Sequence, residues 1–280
     1  EGPPPSTRPG YLAWRASNVL TQRQPGQHAV VVRLIRGDIT SAQLRALARL
    51  ARSFSDDTVR LTNDQNVILR FVAAADLPAL HAALCAEDLG RDGARTLADV
   101  TACPGADTCN LAVTHSRELS TAIADRLEPG GVLLAEAEPA KNLDIKISGC
   151  PNSCGQHHVA AIGFHGTMRR VGGKQVPEYQ LHLGGGIDGK DGATFGRQVV
   201  KVPARRVPEA VVRLLQLYSS QRTPDEDALA FFRRVDEALV KEAVADLARM
   251  DEATARPEDY VDLGQERQFV VAIGQGECAS

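Results

Sequence analysis

The sequence predicts an α+β fold built from two regions of different character. In the first region, strand and helix patterns follow one another in the order β-α-β-β-α. From about Arg91 onward, loops that carry most of the cysteines are set against apolar segments. We expect a linker over residues 1–19, a first domain over 20–90 and a second domain over 91–280 that ends in a helical extension. A chain of 280 residues buries about three quarters of its unfolded surface, so its core needs no disulfides.

The first region opens with a strand followed by a helix. Residues 28–36 are rich in β-branched side chains, which is typical of a buried strand. Thr40 or Ser41 then caps a helix, because a short hydroxyl side chain can accept a hydrogen bond from the first free backbone N–H groups. The helix is expected to bury Leu44, Leu47, Ala48 and Ala51.

Two further strands and a second helix complete this region. The strands are predicted at 58–62 and 67–72, with four polar residues between them that suit a tight hairpin. Asp76 and Pro78 then open a helix, since proline is tolerated in the first helical turn. The resulting order of elements is that of a ferredoxin-like half-domain.

The second region is predicted to be a mixed α/β lobe. Leu119, Ile123 and Leu127 recur every four residues and predict a helix after Cys109. A helix from Val207 and a helical stretch from about 225 to 250 follow later in the chain. Strands are expected at 143–147, 159–164, 179–183 and 269–273.

Charge and composition exclude several function classes. The chain has 32 Lys and Arg against 35 Asp and Glu, a net charge of −3, so it has no overall basic field for nucleic acid or an anionic membrane. No apolar run approaches the roughly 18 residues that a membrane-spanning helix requires. Six cysteines are too few for a small disulfide scaffold, and we expect a reducing, cytoplasmic setting.

Four cysteines form the most informative pattern. Cys103 and Cys109 have five residues between them, Cys150 and Cys154 have three, and the two pairs are separated by forty. Short cysteine pairs on loops can supply the four thiolates of an iron-sulfur cube. Five intervening residues lie outside the range that structural zinc sites favour, so the spacing favours iron-sulfur while leaving zinc and unligated thiols open. Cys85 is expected in the core.

The residues around these cysteines resemble a known family. Residues 101–119 (TACPGADTCNLAVTHSREL) and 146–166 (KISGCPNSCGQHHVAAIGFHG) closely resemble the two signature segments of the siroheme-containing nitrite and sulfite reductases. Residues 60–66 are similar to that family's ferredoxin-like half-domain, and 179–186 to its next glycine-rich strand end. The resemblance runs from about residue 20 to residue 220.

This resemblance implies two cofactors and a reaction. Cys103, Cys109, Cys150 and Cys154 would hold a 4Fe-4S cluster, and the Cys154 thiolate would also bridge to the siroheme iron as its axial ligand. A one-electron donor, usually ferredoxin, would feed the six-electron reduction of a small inorganic anion, nitrite to ammonia or sulfite to sulfide. Residues 151–156, followed by 162–164, look more like the nitrite-reducing branch.

One segment departs from the pattern of the complete family members. Those enzymes are pseudo-symmetric, and their first half supplies most of the cations that grip the anion. Residues 63–66 here read NDQN, the form typical of the second half, so we expect the C-terminal half of an enzyme whose N-terminal half is missing. From the sequence we identify no catalytic base and no set of cationic side chains that would bind the anion. Arg117, Arg197 and Arg205 are candidates to neutralise siroheme carboxylates, whereas His157 and His158 are expected merely to line or leave the site.

Two alternative functions stay open at this point. One is a precorrin-modifying oxygenase of the same superfamily, which would use a related cluster and lobe. The other is a non-catalytic electron-transfer or zinc module. The basic stretch over residues 197–213 also has two interpretations, solvated helix faces or a contact with carboxylates of a cofactor or an acidic donor.

Overall fold

The computed structural model describes residues 10–128, 133–135, 137–188 and 192–271. Residue contacts divide the chain into two compact units, Glu1–Asp99 and Val100–Ser280. Each unit combines a β-sheet with helices, which confirms the predicted α+β class. In the described part of the chain, every helix is too short or too polar to cross a lipid bilayer.

The first unit contains a four-stranded antiparallel sheet with helices packed on it. Its elements in chain order are α1 (Tyr11–Asn18), β1 (Val19–Thr21), β2 (Gln27–Val32), α2 (Ser41–Phe54), β3 (Val59–Leu61), β4 (Val67–Ala73) and α3 (Leu77–Ala86). The strands lie in the order β1-β2-β4-β3. The predicted β-α-β-β-α order is therefore present, preceded by a helix and a short edge strand.

Helix α2 begins where the sequence predicted it. Thr40 Oγ1 accepts a hydrogen bond from Gln43 N at 3.2 Å, and Gln43 Oε1 accepts one from Thr40 N at 3.0 Å, which completes a capping box. Leu47 is buried, but Leu44 is 53% exposed. The buried and half-buried stripe is centred near Leu47, Leu50 and Phe54, and Leu44 lies about 90° around the helix from that centre.

The linker predicted over residues 1–19 is wrong for residues 11–18. These residues form α1, and Tyr11 and Trp14 are 3% and 0% exposed in the core of the unit. The Trp14 ring lies 4.7 Å from the ring of His81 on α3. The burial of one large indole provides enough apolar contact to order this short helix. Residues 1–9 lie outside the described part of the chain.

The boundary between the units lies at Asp99, nine residues beyond its expected position at 90. The reason is the buried guanidinium of Arg33, which donates to Asp92 O at 2.9 Å and to Ala98 O, and pairs with Asp99 at 3.4 Å. Asn66 also donates to the Asp99 carboxylate at 2.8 Å. A buried cation requires such partners, so the segment up to Asp99 is held in the first unit.

The second unit is built around a five-stranded mixed sheet. Its strands, with two that pair separately, are β5 (Thr101–Ala102), β6 (Ile145–Ser148), β7 (Ile162–Val171), β8 (Lys174–Leu183), β9 (Gly186–Asp188), β10 (Gly192–Thr194) and β11 (Arg197–Pro203). The strand order of the large sheet is β11-β8-β7-β6-β5, with β5, β6 and β7 parallel and β7, β8 and β11 antiparallel. Strands β9 and β10 form a separate antiparallel pair.

The helices of this unit follow the predicted apolar stripes. Leu119, Ile123 and Leu127 of α4 are all 0% exposed. The helical stretch predicted from about 225 to 250 consists of three short helices, and Asp227 and Asp236 cap the first two of them through their side chains. The helices are α4 (Ser116–Leu127), α5 (Val207–Gln221), α6 (Ala228–Arg234), α7 (Glu237–Ala243) and α8 (Ala245–Ala248).

The strand predicted over 269–273 is wrong for its described residues, 269–271, which are irregular. Phe269 N instead donates to Tyr260 O at 2.7 Å, and Val271 N donates to the Gln175 side chain at 2.7 Å. These single bonds fix the segment without the regular pairing of a sheet. Residues 272 and 273, like Cys278, lie outside the described part of the chain.

Candidate metal centre

Two of the four cysteines are placed by the parallel pairing of β5 and β6. Cys103 follows directly after β5, and Cys150 comes two residues after β6. Ala102 lies opposite Ile147 in the register of these strands, and Cys103 N donates to Ile147 O at 3.1 Å. Carboxyl ends of adjacent parallel strands meet at one edge of a sheet. Cys103 and Cys150 therefore emerge at the same edge, where they are 8% and 7% exposed.

The third cysteine is brought back by a tight turn. After Cys103 the chain forms a 3-10 turn at Gly105–Asp107, and Cys109 N donates to Gly105 O at 3.0 Å. Gly105 has a φ of +61°, and a Cβ there would stand 2.4 Å from Ser116 Oγ at the start of α4. Glycine is thus required on both conformational and steric grounds. Cys109 itself is exposed.

The loop that carries Cys150 and Cys154 interlocks with the first loop. Val113 N and Thr114 N both donate to Gly149 O, at 2.8 and 3.1 Å, and Gly149 N donates to Cys103 Sγ at 3.1 Å. A Cβ at Gly149 would lie 2.8 Å from Thr114 O and 2.9 Å from Gly105 Cα, so the two loops meet backbone to backbone. Cys154 is exposed.

The surroundings of the Cys150 thiol disfavour its charged form. Burial raises the pKa of the Cys150 thiol, and an N–H donated by Asn152 opposes that effect. Negative charge on Cys103, Cys154 and Cys109 raises the pKa further. Four thiolates held close together would repel one another, and a cation among them would offset that repulsion. No disulfide joins any of the five described cysteines, and Cys85, which was expected in the core, is exposed.

This donor set fits a metal or a metal-sulfur cluster. Thiolates are soft ligands, and four of them suit zinc or an iron-sulfur cluster. The Gly149 N–H directed at Cys103 sulfur is the kind of contact that stabilises a ligating thiolate and tunes a cluster potential. The structure brings Cys103 and Cys150 to the same sheet edge, and the role of all four cysteines as ligands stays a prediction.

His157 and His158 lie on a 3-10 turn (His157–Val159) over the five-stranded sheet, with ring centroids 4.1 Å apart. His157 is fully buried and shares its surroundings with His165 on β7 and His182 on β8. Burial lowers the pKa of His157 to about 3 and those of His165 and His182 to about 4, and the neighbouring imidazoles contribute. Sequence reasoning missed His165 and His182. Only the register of β7 with β8 could have joined them to His157.

The arginine candidates have partners within the chain. Arg117 lies 3.8 Å from the Asp107 carboxylate. Arg197 donates to Arg233 O and Val235 O, and Arg205 donates to Val261 O at 3.0 Å.

The rest of the basic stretch also anchors the chain's own C-terminal segment. Arg206 Nε donates to Asp259 Oδ1 at 3.1 Å, and the same guanidinium reaches three backbone carbonyls. Arg213 pairs with Asp246. Asp262 is 1% exposed and accepts a hydrogen bond from His115 N, just before α4, at 2.8 Å. Most arginines of the basic stretch therefore bind the chain's own C-terminal segment.

Comparisons with protein families match most of the chain. The model of the nitrite/sulfite reductase ferredoxin-like half domain matches residues 20–87. The model of the nitrite and sulphite reductase 4Fe-4S domain matches residues 93–235, which contain all four cysteines of the site. The second match by itself spans half of the 280 residues.

Individual proteins agree with the family matches. The chain is 32% identical over 210 residues to a ferredoxin–nitrite reductase of Synechococcus elongatus, covering 74% of this chain and 40% of that protein. It is 29% identical over 215 residues to sulfite reductase [ferredoxin] 1 of Mycolicibacterium paratuberculosis, covering 76% and 38%. The solved structure of the Mycobacterium tuberculosis NirA protein superposes with a TM-score of 0.67 at 27% identity, covering 80% of this chain and 41% of that one. The chain spans about two fifths of the length of these relatives.

Proposed function

The chain belongs to the nitrite and sulfite reductase family, and from that membership we propose that it forms the part of such an enzyme that holds a 4Fe-4S cluster and siroheme. The observation that carries the proposal is that Cys103 and Cys150 emerge at one sheet edge on two interlocked loops, which also carry Cys109 and Cys154. A cube needs one thiolate for each iron, arriving from different directions. Cys103, Cys109, Cys150 and Cys154 would supply them.

Exposure supports a second role for Cys154. A sulfur shared between the cluster and the siroheme iron must be reachable from outside the cysteine loops. Cys103 and Cys150 are almost fully buried, whereas Cys109 and Cys154 are exposed. Of the two exposed thiols, the family resemblance assigns the bridge to Cys154. Bound siroheme would supply the iron on which the anion is reduced, with the electron store beside it.

The residues around the thiols would limit the access of water to the cluster and stabilise the negative charge of its ligands. The N–H groups of Gly149 and Asn152 point at the sulfurs of Cys103 and Cys150 and stabilise their negative charge. The low exposure of these two cysteines limits the access of water, which strengthens each of these contacts. The chain thus positions and shields the group that stores electrons.

The anion clamp is proposed to come from another region of the enzyme. The chain's own carbonyl and carboxylate groups bind the guanidinium groups of Arg197, Arg205, Arg206 and Arg213. We therefore do not assign these arginines to the anion. The relatives are more than twice as long as the matched region. We expect the remaining region to close the siroheme pocket and grip the anion, with ferredoxin as the electron donor.

Nitrite is the proposed anion. The amino-acid sequence of residues 151–156 and 162–164 resembles that of the nitrite-reducing branch, and a ferredoxin–nitrite reductase is among the relatives. Steady-state specificity constants for nitrite and sulfite, measured on the complete enzyme with reduced ferredoxin, test this choice. A larger value for sulfite reverses it.

The cluster itself is tested by metal analysis of the 280-residue chain after anaerobic reconstitution with iron and sulfide. We expect about four iron and four acid-labile sulfide ions per chain. Serine at position 103, 109, 150 or 154 should lower both contents together. Cys85→Ser is the matched control, because Cys85 lies on α3 of the other unit, and it should retain the full content. One zinc ion without iron or sulfide, lost when any of these four cysteines is replaced with serine, would instead identify a zinc module and refute the proposal.

A further inference from the structure

A second group of potential metal ligands lies on one face of the five-stranded sheet. His157, His165 and His182 are 0%, 9% and 1% exposed. Each offers one ligand atom, and these atoms all lie within 4.8 Å of one another. We call these three residues the trihistidine cluster. None of them belongs to the four-cysteine site.

The strand register and one glycine create this cluster. His182 on β8 lies opposite Gly163 on β7, and His165 is two residues farther along β7, so both imidazoles project from the same face. A Cβ at Gly163 would stand 2.0 Å from His157 O. Only glycine therefore allows the turn that carries His157 to lie directly on this face, with its ring 4.7 Å from that of His182 and 5.0 Å from that of His165.

The hydrogen bonds of the cluster leave two buried ring nitrogens, His157 Nε2 and His182 Nδ1, without a partner in the described part of the chain. His165 Nδ1 and His182 Nε2 are 2.8 Å apart, and His157 Nδ1 is 2.8 Å from Ser148 Oγ. A buried ring nitrogen without a partner is uncommon and calls for an explanation such as a bound ion.

We propose that the trihistidine cluster binds one borderline divalent transition-metal ion of the Zn²⁺ class. Three imidazoles with an open fourth position are an established ligand set for such ions, whereas Mg²⁺ and Ca²⁺ prefer oxygen. Ser148 Oγ orients the His157 ring through its other nitrogen, as an outer hydrogen bond commonly does for a ligating histidine. His165 and His182 give up their mutual hydrogen bond, and their nitrogens separate to about 3.3 Å, the spacing of two nitrogen ligands in a tetrahedral zinc site.

Co²⁺ titration of the 280-residue chain with serine at positions 103, 109, 150 and 154 tests this site, because Co²⁺ reports its ligands by colour and the serines remove thiolates that could also bind it. The variants below carry the same four serines. We expect visible d–d bands that saturate at one equivalent, without the near-ultraviolet charge transfer that thiolate ligands produce. His157→Gln and His182→Gln should each weaken Co²⁺ binding by more than about 100-fold, and Ser148→Ala by about 10- to 100-fold. Zn²⁺ should displace the Co²⁺.

His158→Gln is the matched control, because His158 is the direct neighbour of His157 and lies outside the cluster. It should bind Co²⁺ as the chain with the four serines alone does. Far-UV circular dichroism identifies any variant that fails to fold, and the remaining variants then decide the outcome. The absence of visible bands, the appearance of thiolate charge transfer with the first equivalent, or unchanged binding in the folded His157→Gln and His182→Gln chains would overturn the proposal. Iron and sulfide analysis reports the cysteine site separately, so failure of one assignment does not obscure the other.

Discussion

Replacing Gly155 with alanine puts a methyl group against the backbone of β6, directly beside Cys154. The added Cβ would stand 1.9 Å from Ile147 O and 2.7 Å from Ile147 C, closer than carbon atoms approach in folded proteins. Ile147 cannot yield easily, because it is held in register with Ala102 on one side and Phe164 on the other. Overpacking costs about 1–3 kcal/mol, and we expect about 3 kcal/mol here since the obstructing atoms are backbone.

For a unit of this size, that cost corresponds to a fall in the unfolding midpoint of about 6–12 °C. Thermal unfolding followed by far-UV circular dichroism measures it. Trp14 is the only tryptophan in the chain and lies in the first unit, so its fluorescence provides a separate probe of that unit. Gly196→Ala is the control, because a Cβ there would approach its nearest atoms only to 3.3 Å. A midpoint for Gly155→Ala equal to that of Gly196→Ala would refute the steric reasoning.

Three further predictions concern charge and completeness. Asp259→Ala leaves the buried Arg206 without its carboxylate and should lower the free energy of unfolding in urea by about 3–5 kcal/mol. The double change Arg206→Met/Asp259→Leu should recover much of that loss, because no unpaired charge remains. Equal losses in the two variants would contradict the claim that the unpaired charge causes the loss. Burial raises the pKa of Glu178 above its ordinary value of 4.5, with Arg169 opposing, so the stability that this carboxyl contributes is full below pH 4.5 and is lost as the pH rises through the folded-state pKa. Glu178→Gln should therefore gain stability relative to the unsubstituted chain between pH 4.5 and neutrality, and parallel pH profiles would exclude this. The 280-residue chain alone should be nearly inactive, and adding the remaining region of the enzyme should restore siroheme retention and dye-driven anion reduction together. Equal rates with and without that region would disprove the proposal that the remaining region supplies the anion-binding residues.

Local patterns in the sequence predicted the parts of the fold that depend on local physics. Leu119, Ile123 and Leu127 recur at helical spacing, and all three are buried on α4. Thr40 is the cap of α2 because its hydroxyl and the side chain of Gln43 satisfy free backbone groups within one turn. The four cysteines were predicted as one ligand set because their spacing puts each pair on a short loop; this assignment stays a prediction.

Long-range pairing accounts for most of what the sequence did not predict. The Arg206–Asp259 ion pair joins residues 53 positions apart, so the basic stretch could not be assigned to its acidic partners from composition. His165 and His182 meet only through the register of β7 with β8. Helix α1 was missed because the proline-rich start resembled a linker, although the burial of Trp14 orders it.

The central claim is that four thiolates of this chain hold one 4Fe-4S cluster and that the Cys154 sulfur is also a ligand of the siroheme iron. Electron paramagnetic resonance of the complete enzyme measures this most directly, since a shared sulfur couples the two metal centres magnetically. We predict that the unsubstituted enzyme shows this coupling and that Cys154→Ser abolishes it together with turnover, while Cys85→Ser leaves both unchanged. Coupling and full turnover that persist in Cys154→Ser but are lost in Cys150→Ser would contradict the assignment of the bridging sulfur.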